Sequence, residues 1–172
     1  GEAGILIDAR DPNLARHHPG DYLQGTEVVV AEALKEAAGN GGFSPQDVIA
    51  IGVDTTGSSP LPVDAEGEPL GVHPQFENDP SAMIWLWKDH TGHAEAAAIT
   101  KEAEEKRPQY LAKCGGTYSS EWFWSKIWHC LKVSPNVFDA AATWVEIADW
   151  IPAFLTGRKR PQEIMRGICA AG

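Results

Sequence analysis

The residues best suited to chemistry in this chain lie at positions 54–59, where a carboxylate, two threonines, a glycine and two serines follow one another. Ahead of them, residues 48–54 (VIAIGVD) form an almost unbroken apolar run, which predicts a strand buried on both faces. Such a strand, ending in small hydroxyl and glycine residues, leaves backbone amides and hydroxyls facing a crevice. Ligands of open α/β sheets bind at the carboxyl ends of strands, so residues 54–59 are the first candidate site. A second stretch repeats the layout: residues 83–87 are short and apolar and end on Lys88, Asp89, His90 and Thr91. Glu121 and Trp122 fall in the first turn of a predicted helix, from which they can face a crevice.

The elements that must hold these groups follow from periodicity and turn chemistry. Residues 59–63 read as a strand paired with the central one, turned back at residues 64–67 by Asp64 and Gly67. Upstream, Ile5, Leu6 and Ile7 suggest the tail of an edge strand, broken by Asp11, Pro12 and Asn13. A helix is predicted over residues 19–38, with Pro19 and Asp21 in its first turn and Gly39 at its stop. Its apolar face would be Tyr22, Val29, Val30, Ala33, Leu34 and Ala37. Residues 44–47 read as a cap and single turn feeding the central strand, and residues 69–80 as irregular surface chain. Residues 92–107 form a solvated helix that places His93 on the surface. Ser119 and Ser120 are predicted to cap a helix reaching Lys132, with Phe123, Trp124, Ile127, Trp128 and Leu131 as its core stripe. A short helix over 134–142, an extended run over 144–147 and a last helix capped by Asp149 and stopped at Gly157 complete the chain. Helix, turn and strand in this order indicate an α/β fold.

Bulk composition narrows the function. The 172 residues are 43% hydrophobic and 22% charged, as in an ordinary soluble globular protein, with room for one domain or a piece of something larger. A formal charge of −10 with 14 Lys+Arg argues against nucleic acid or an anionic membrane as partner. No apolar run approaches the roughly 18 residues of a membrane span. Cys114, Cys130 and Cys169 are odd in number and lack CxxC spacing, as expected of reduced thiols in a cytoplasmic protein. His17 and His18 are adjacent at a helix entry and are not expected to converge on a metal. A start at Gly1 without Met and an end in RGICAAG lead us to expect an incomplete chain.

Asp-Thr-Thr-Gly-Ser invites an aspartic-protease reading, but an extra Thr separates Asp54 from Gly57, no second such motif exists, and a helix-rich surround contradicts an all-β plan. GVDTTGSSPLPVDAEGEPL also imitates the phosphate hairpin of actin-like ATPases, although that hairpin normally opens its domain and some 50 residues precede it here. A third reading uses the whole chain. The run IGVDTTGSSPLPVDAEGEPL, followed in order by ENDPSAMIWLWKDHT, GGTYSSEWFWSKI, DWIPAFLTG and RPQEIMRGICAAG, with HHPGDYL ahead, resembles the FGGY carbohydrate kinases, in particular their bacterial L-ribulokinase branch. That resemblance implies an actin-like (ribonuclease H-like) α/β domain, a mixed sheet flanked by helices, here incomplete. It also implies ATP and Mg²⁺ as cofactors of the full-length enzyme, none of them bound by these residues alone. The partner would be a small-molecule ketopentose, and a homodimer is compatible. Residues 1–172 would be part of the N-terminal sugar-binding domain. The first phosphate-binding hairpin, the catalytic base Asp and the C-terminal ATP domain would lie outside the chain.

Carried over position by position, the resemblance makes Thr56, Gly57 and Ser58 sugar-facing, with Trp87 against the carbon chain. Lys88 and Asp89 would exchange hydrogen bonds with hydroxyls, and Glu121, beside Trp122, would bind another. Ordinary roles compete at each: a turn glycine at Gly57, a core ring at Trp87, a surface ion pair for Lys88 and Asp89, a helix cap at Glu121. Where glycerol kinases carry an Arg-Glu pair this chain has Gly57 and Ser58, which points to a bulkier ketose. L-ribulose, D-ribulose and xylulose stay open as substrates, as does a stand-alone sugar-binding module.

Overall fold

The computed structural model describes residues 4–168. It is a mixed α/β arrangement in which helices flank two small antiparallel sheets. In the first sheet, β1 (Ile5–Asp8) and β2 (Asp11–His17) form a hairpin. The far edge of β2 takes up β4 (Ile84–Trp85), with Arg16 opposite Trp85. Asp11 and Pro12 were expected to end the extended chain. Instead the Arg10 guanidinium donates to the Asp8 carboxylate (2.7 Å) and closes a tight turn, so the strand resumes at Asp11.

Helix α1 (Pro19–Gly39) begins almost where the sequence predicts. His18 caps it: Nδ1 accepts the Gly20 amide at 3.1 Å. Only the first turns dock. Gly71 lets them approach, since a Cβ there would stand 2.9 Å from the Ala82 carbonyl oxygen and 3.1 Å from the Pro19 ring. Further along, Val28 and Val29 of the expected apolar face and its flank are exposed.

The second sheet pairs β3 (Pro60–Val63) with β5 (Thr143–Glu146), Leu61 lying opposite Val145. This corrects the expectation that β3 pairs with a buried strand at residues 48–54. That run is irregular and open, with Ile49 97% and Ile51 57% exposed. The reason lies in β3. Ser59 and Val63 carbonyls accept from Ile147 and Ala142, so odd-numbered residues turn their backbone groups toward β5. Pro60 and Pro62 therefore face the other edge, and proline has no N–H to offer a further strand. The turn beyond β3 does form as expected: the Asp64 carboxylate accepts the Glu66 and Glu68 amides, and Gly67 sits at φ 82°.

Helices α2 (His93–Lys106), α3 (Pro108–Leu111), α4 (Phe123–Val133), α5 (Pro135–Ala140) and α6 (Ile147–Thr156) complete the chain. Gly157, in the left-handed region at φ 69°, stops α6, while Asp149 lies inside its first turn rather than capping it. Likewise α4 starts at Phe123, past Ser119 and Ser120. Its buried face is Phe123, Ser125, Lys126, Ile127 and Cys130, whereas Trp124, Trp128 and Leu131 of the expected stripe are exposed. Two apolar clusters result, split by the alternation of β4. Ile84 points into one with Leu61, Val63, Val145, Ile147 and Trp150; Trp85 points into the other with Phe123, Ile127, Cys130, Val137 and Trp144. Cys130 is a buried free thiol, its pKa pushed up to about 12 by desolvation; Cys114 is half-buried, and Cys169 lies outside the described residues. Among the described residues no helix is long and apolar enough to cross a membrane.

Candidate functional site

The two polar tips converge although the strand expected to carry the first of them does not form. What replaces its ladder is a set of hydrogen bonds made by buried polar side chains. Lys126, wholly inside α4, donates from Nζ to the Ser58 carbonyl (2.7 Å) and to the Leu86 carbonyl (2.8 Å). Ser59 Oγ accepts the Trp87 amide at 3.1 Å and lies 3.0 Å from Thr56 Oγ1. Glu146, at the end of β5, grips the same loop from the other side: Oε1 accepts from the Ser58 hydroxyl and Oε2 from the Ser59 amide (2.6 Å). Residues 56–59 and 86–87 are thus one unit, reached from α4 and β5.

The electrostatics of this unit follow from burial. Desolvation pushes Lys126 down to about 7, with the charge of Glu146 acting against it. Glu146 is raised, chiefly by burial, while its bonds from Ser58 and Ser59 and the charge of Lys126 pull the other way.

Beside the unit opens a cavity of about 990 Å³. Gly57, Ser58, Tyr118 and Trp122 line it, together with Tyr110 and Cys114. The Trp122 ring packs edge-on to Tyr118 with centroids 5.0 Å apart. A Cβ at Gly57 would meet nothing within 4 Å, so a guest can approach that backbone closely. Since the Ser58 hydroxyl is committed to Glu146, its side chain faces inward and the open side of this loop is chiefly backbone.

Of the residues singled out from sequence, Gly57, Ser58 and Trp122 therefore meet on one cavity. Thr56 lines a different one, with Asp54, Ile51 and Tyr22. Trp87 lies at the surface and not in the core; its backbone is pinned by Ser59 and the residue is 45% exposed. Lys88 is exposed beside it. Asp89 requires a correction. It is fully buried and pairs with Arg16 rather than Lys88. Its Oδ2 accepts the Ala15 amide (2.7 Å) and its Oδ1 the Thr91 amide (3.1 Å), so it joins β2 to the α2 entry. Arg16 also stacks on Trp85, 3.4 Å from the ring centroid. Glu121 is half-exposed, 3.7 Å from His90, and does not cap α4.

Sequence reasoning missed Lys126 and Glu146. One signal was present: Lys126 falls three residues after Phe123 and four before Cys130, which puts a charge on the inward register of an otherwise apolar helix face.

The same arrangement recurs in part of a known structure. Over 87% of this chain and 27% of the other, it superposes on the crystal structure of a xyloylose kinase from Brucella ovis with a TM-score of 0.65 at 15% identity. In sequence, its relatives are ribulokinases. It is 46% identical over 162 residues to the ribulokinase of Vibrio parahaemolyticus, covering 91% of this chain, and 40% identical to that of Shouchella clausii, covering 94%. The ribulokinase of Geobacillus thermodenitrificans is 36% identical over 162 residues. The chain spans 27% of the length of each of these relatives. No family model matches it.

Proposed function

We propose that this chain supplies one wall of the sugar site of an ATP-dependent kinase that phosphorylates L-ribulose, and that the rest of that enzyme lies in sequence these residues do not contain. The reading is supported by one observation above others: in a chain whose relatives are ribulokinases, Gly57, Ser58 and Trp122 share a single cavity. Open backbone beside an aromatic ring suits a polyhydroxylated carbon chain, since amides and carbonyls select hydroxyl positions and the ring packs on C–H faces. Holding the ketose in one orientation is the contribution of this wall to catalysis.

Under this reading the chain is part of an N-terminal sugar-binding domain, and the catalytic base, ATP and Mg²⁺ belong to the remainder of a cytoplasmic enzyme. Among the described residues no group of three or more His, Cys, Asp or Glu is arranged to hold a metal ion. The test is an ATP-coupled assay of the full-length protein against L-ribulose, D-ribulose, xylulose, glycerol and aldoses. L-Ribulose should give the highest kcat/KM. A best substrate that is glycerol or an aldose would overturn the reading, and a preference for D-ribulose or xylulose would move it to another ketopentose.

A further inference from the structure

We propose that Lys126 is a positioning residue for the sugar wall, its Nζ fastening the loop that carries Gly57 and Ser58 to the strand end that carries Leu86 and Trp87. The inference rests on the functional reading above and names how that wall is held.

The two tips meet through like groups. The Ser58 and Leu86 carbonyls are both acceptors and cannot bond each other; a donor with several protons must stand between them. Lys126 Nζ does so at 2.7 and 2.8 Å, from a side chain with no exposed surface. The arrangement is expensive for folding. Burying an amine that must be ionised or lose its proton is unfavourable, and apolar residues of similar volume often replace buried charges without loss of stability. Stability alone is therefore a poor reason for a lysine here, whereas fixing the spacing of two backbone tips is a sufficient one.

Glu146 completes the clamp. Ser58 is held at its carbonyl by Lys126 and at its hydroxyl by Glu146, with the Ser59 amide also bonded to Glu146 (2.6 Å). The peptide that borders the cavity thus has little freedom in either direction. Without Lys126 the two carbonyls lose their common donor, and the loop can shift relative to Trp122. A wall loosened in this way binds the sugar less well while leaving the nucleotide untouched.

The test uses the full-length enzyme and the variants Lys126→Met, which keeps length and volume, and Lys126→Arg, which keeps charge and donors. Expected for Lys126→Met is a rise in KM for the best ketose of about 10- to 100-fold, the size of a lost charge-assisted hydrogen bond, with KM for ATP within about twofold. Lys126→Arg should recover most of that loss. A folded Lys126→Met enzyme with unchanged sugar KM overturns the proposal. So does a variant in which sugar and ATP KM rise together as the melting temperature falls, since that is general destabilisation. If Lys126→Met does not accumulate as folded enzyme, Glu146→Gln reads the same clamp. A selective rise in sugar KM supports the proposal, and sugar and ATP constants that are unchanged or move in parallel sink it. A wild-type enzyme inactive on every ketose would fail the functional reading itself, before any variant is compared.

Discussion

At the scale of single residues, the fold spends its buried charges on holding backbone together. Arg16 and Asp89 tie β2 to the start of α2, and Lys126 and Glu146 tie the loop before β3 to the end of β4 and to β5. A lysine in this position carries a definite pH signature. Burial lowers Lys126 to about 7, against 10.5 for an ordinary lysine. Between those values the unfolded chain binds one more proton than the folded one, so this residue's contribution to stability rises with pH across that window. Urea unfolding of wild type and Lys126→Met at pH 7 and pH 10 checks the sign. The difference between them should move in favour of wild type at the higher pH, and a difference that stays flat would show that Lys126 keeps its proton throughout. None of this was legible from composition or spacing beyond one hint, the lysine at an inward register. The partners lie 68 and 40 residues away, and only the folded chain reveals them.

At the scale of elements, local signals located most helices, and pairing defeated the strands. Pro19 and Gly39 bracket α1, Ser44 to Asp47 form the expected single turn, and Gly157 ends α6, because caps and stops are read within a few residues. Strand partners are non-local. The run at 48–54 has the composition of a buried strand yet lies open, because β3 pairs with β5 and turns two prolines to its other edge. Helix α4 shows a subtler failure. Its aromatic residues trace a convincing stripe, but the helix is rolled so that Ser125, Lys126 and Cys130 face inward with Phe123 and Ile127, while Trp124, Trp128 and Leu131 face out. Apolar periodicity reports that a helix has two faces; it does not say which large residues cover a neighbour. The roll gives a direct prediction. Ile127→Ala should cost about 2–5 kcal/mol, as buried isoleucine truncations do, whereas Leu131→Ala, one turn further along, should cost less than about 1 kcal/mol. Chemical denaturation of the two variants decides it, and equal costs would restore the original stripe to the core.

At the scale of the whole molecule, the dominant feature is apolar surface without a cover among the described residues. Val29 and Val30 of α1, Ile51 and Val53 of the open run and Leu155 of α6 border a cavity of about 450 Å³. Ile49, 97% exposed, stands next to it in sequence. An irregular run rich in exposed β-branched side chains has the composition of a strand edge seeking a neighbour. Apolar patches of this kind on soluble proteins mark places where further protein packs or where copies associate. The chain spans only 27% of its curated relatives, so its surface need not resemble that of a complete enzyme. Taken by itself, the 172-residue chain should therefore self-associate through this face, and its net charge of −10 should be too diffuse to prevent it. Replacing Ile49 and Ile51 together by lysine puts two charges on the open edge without touching the Lys126 clamp. Sedimentation velocity at increasing protein concentration should show association for the unmodified chain and a clear shift toward monomer for the double variant. A chain that stays monomeric at every concentration, or a variant that associates as strongly, would mean that this face does not drive contact and that the open run is settled by other means.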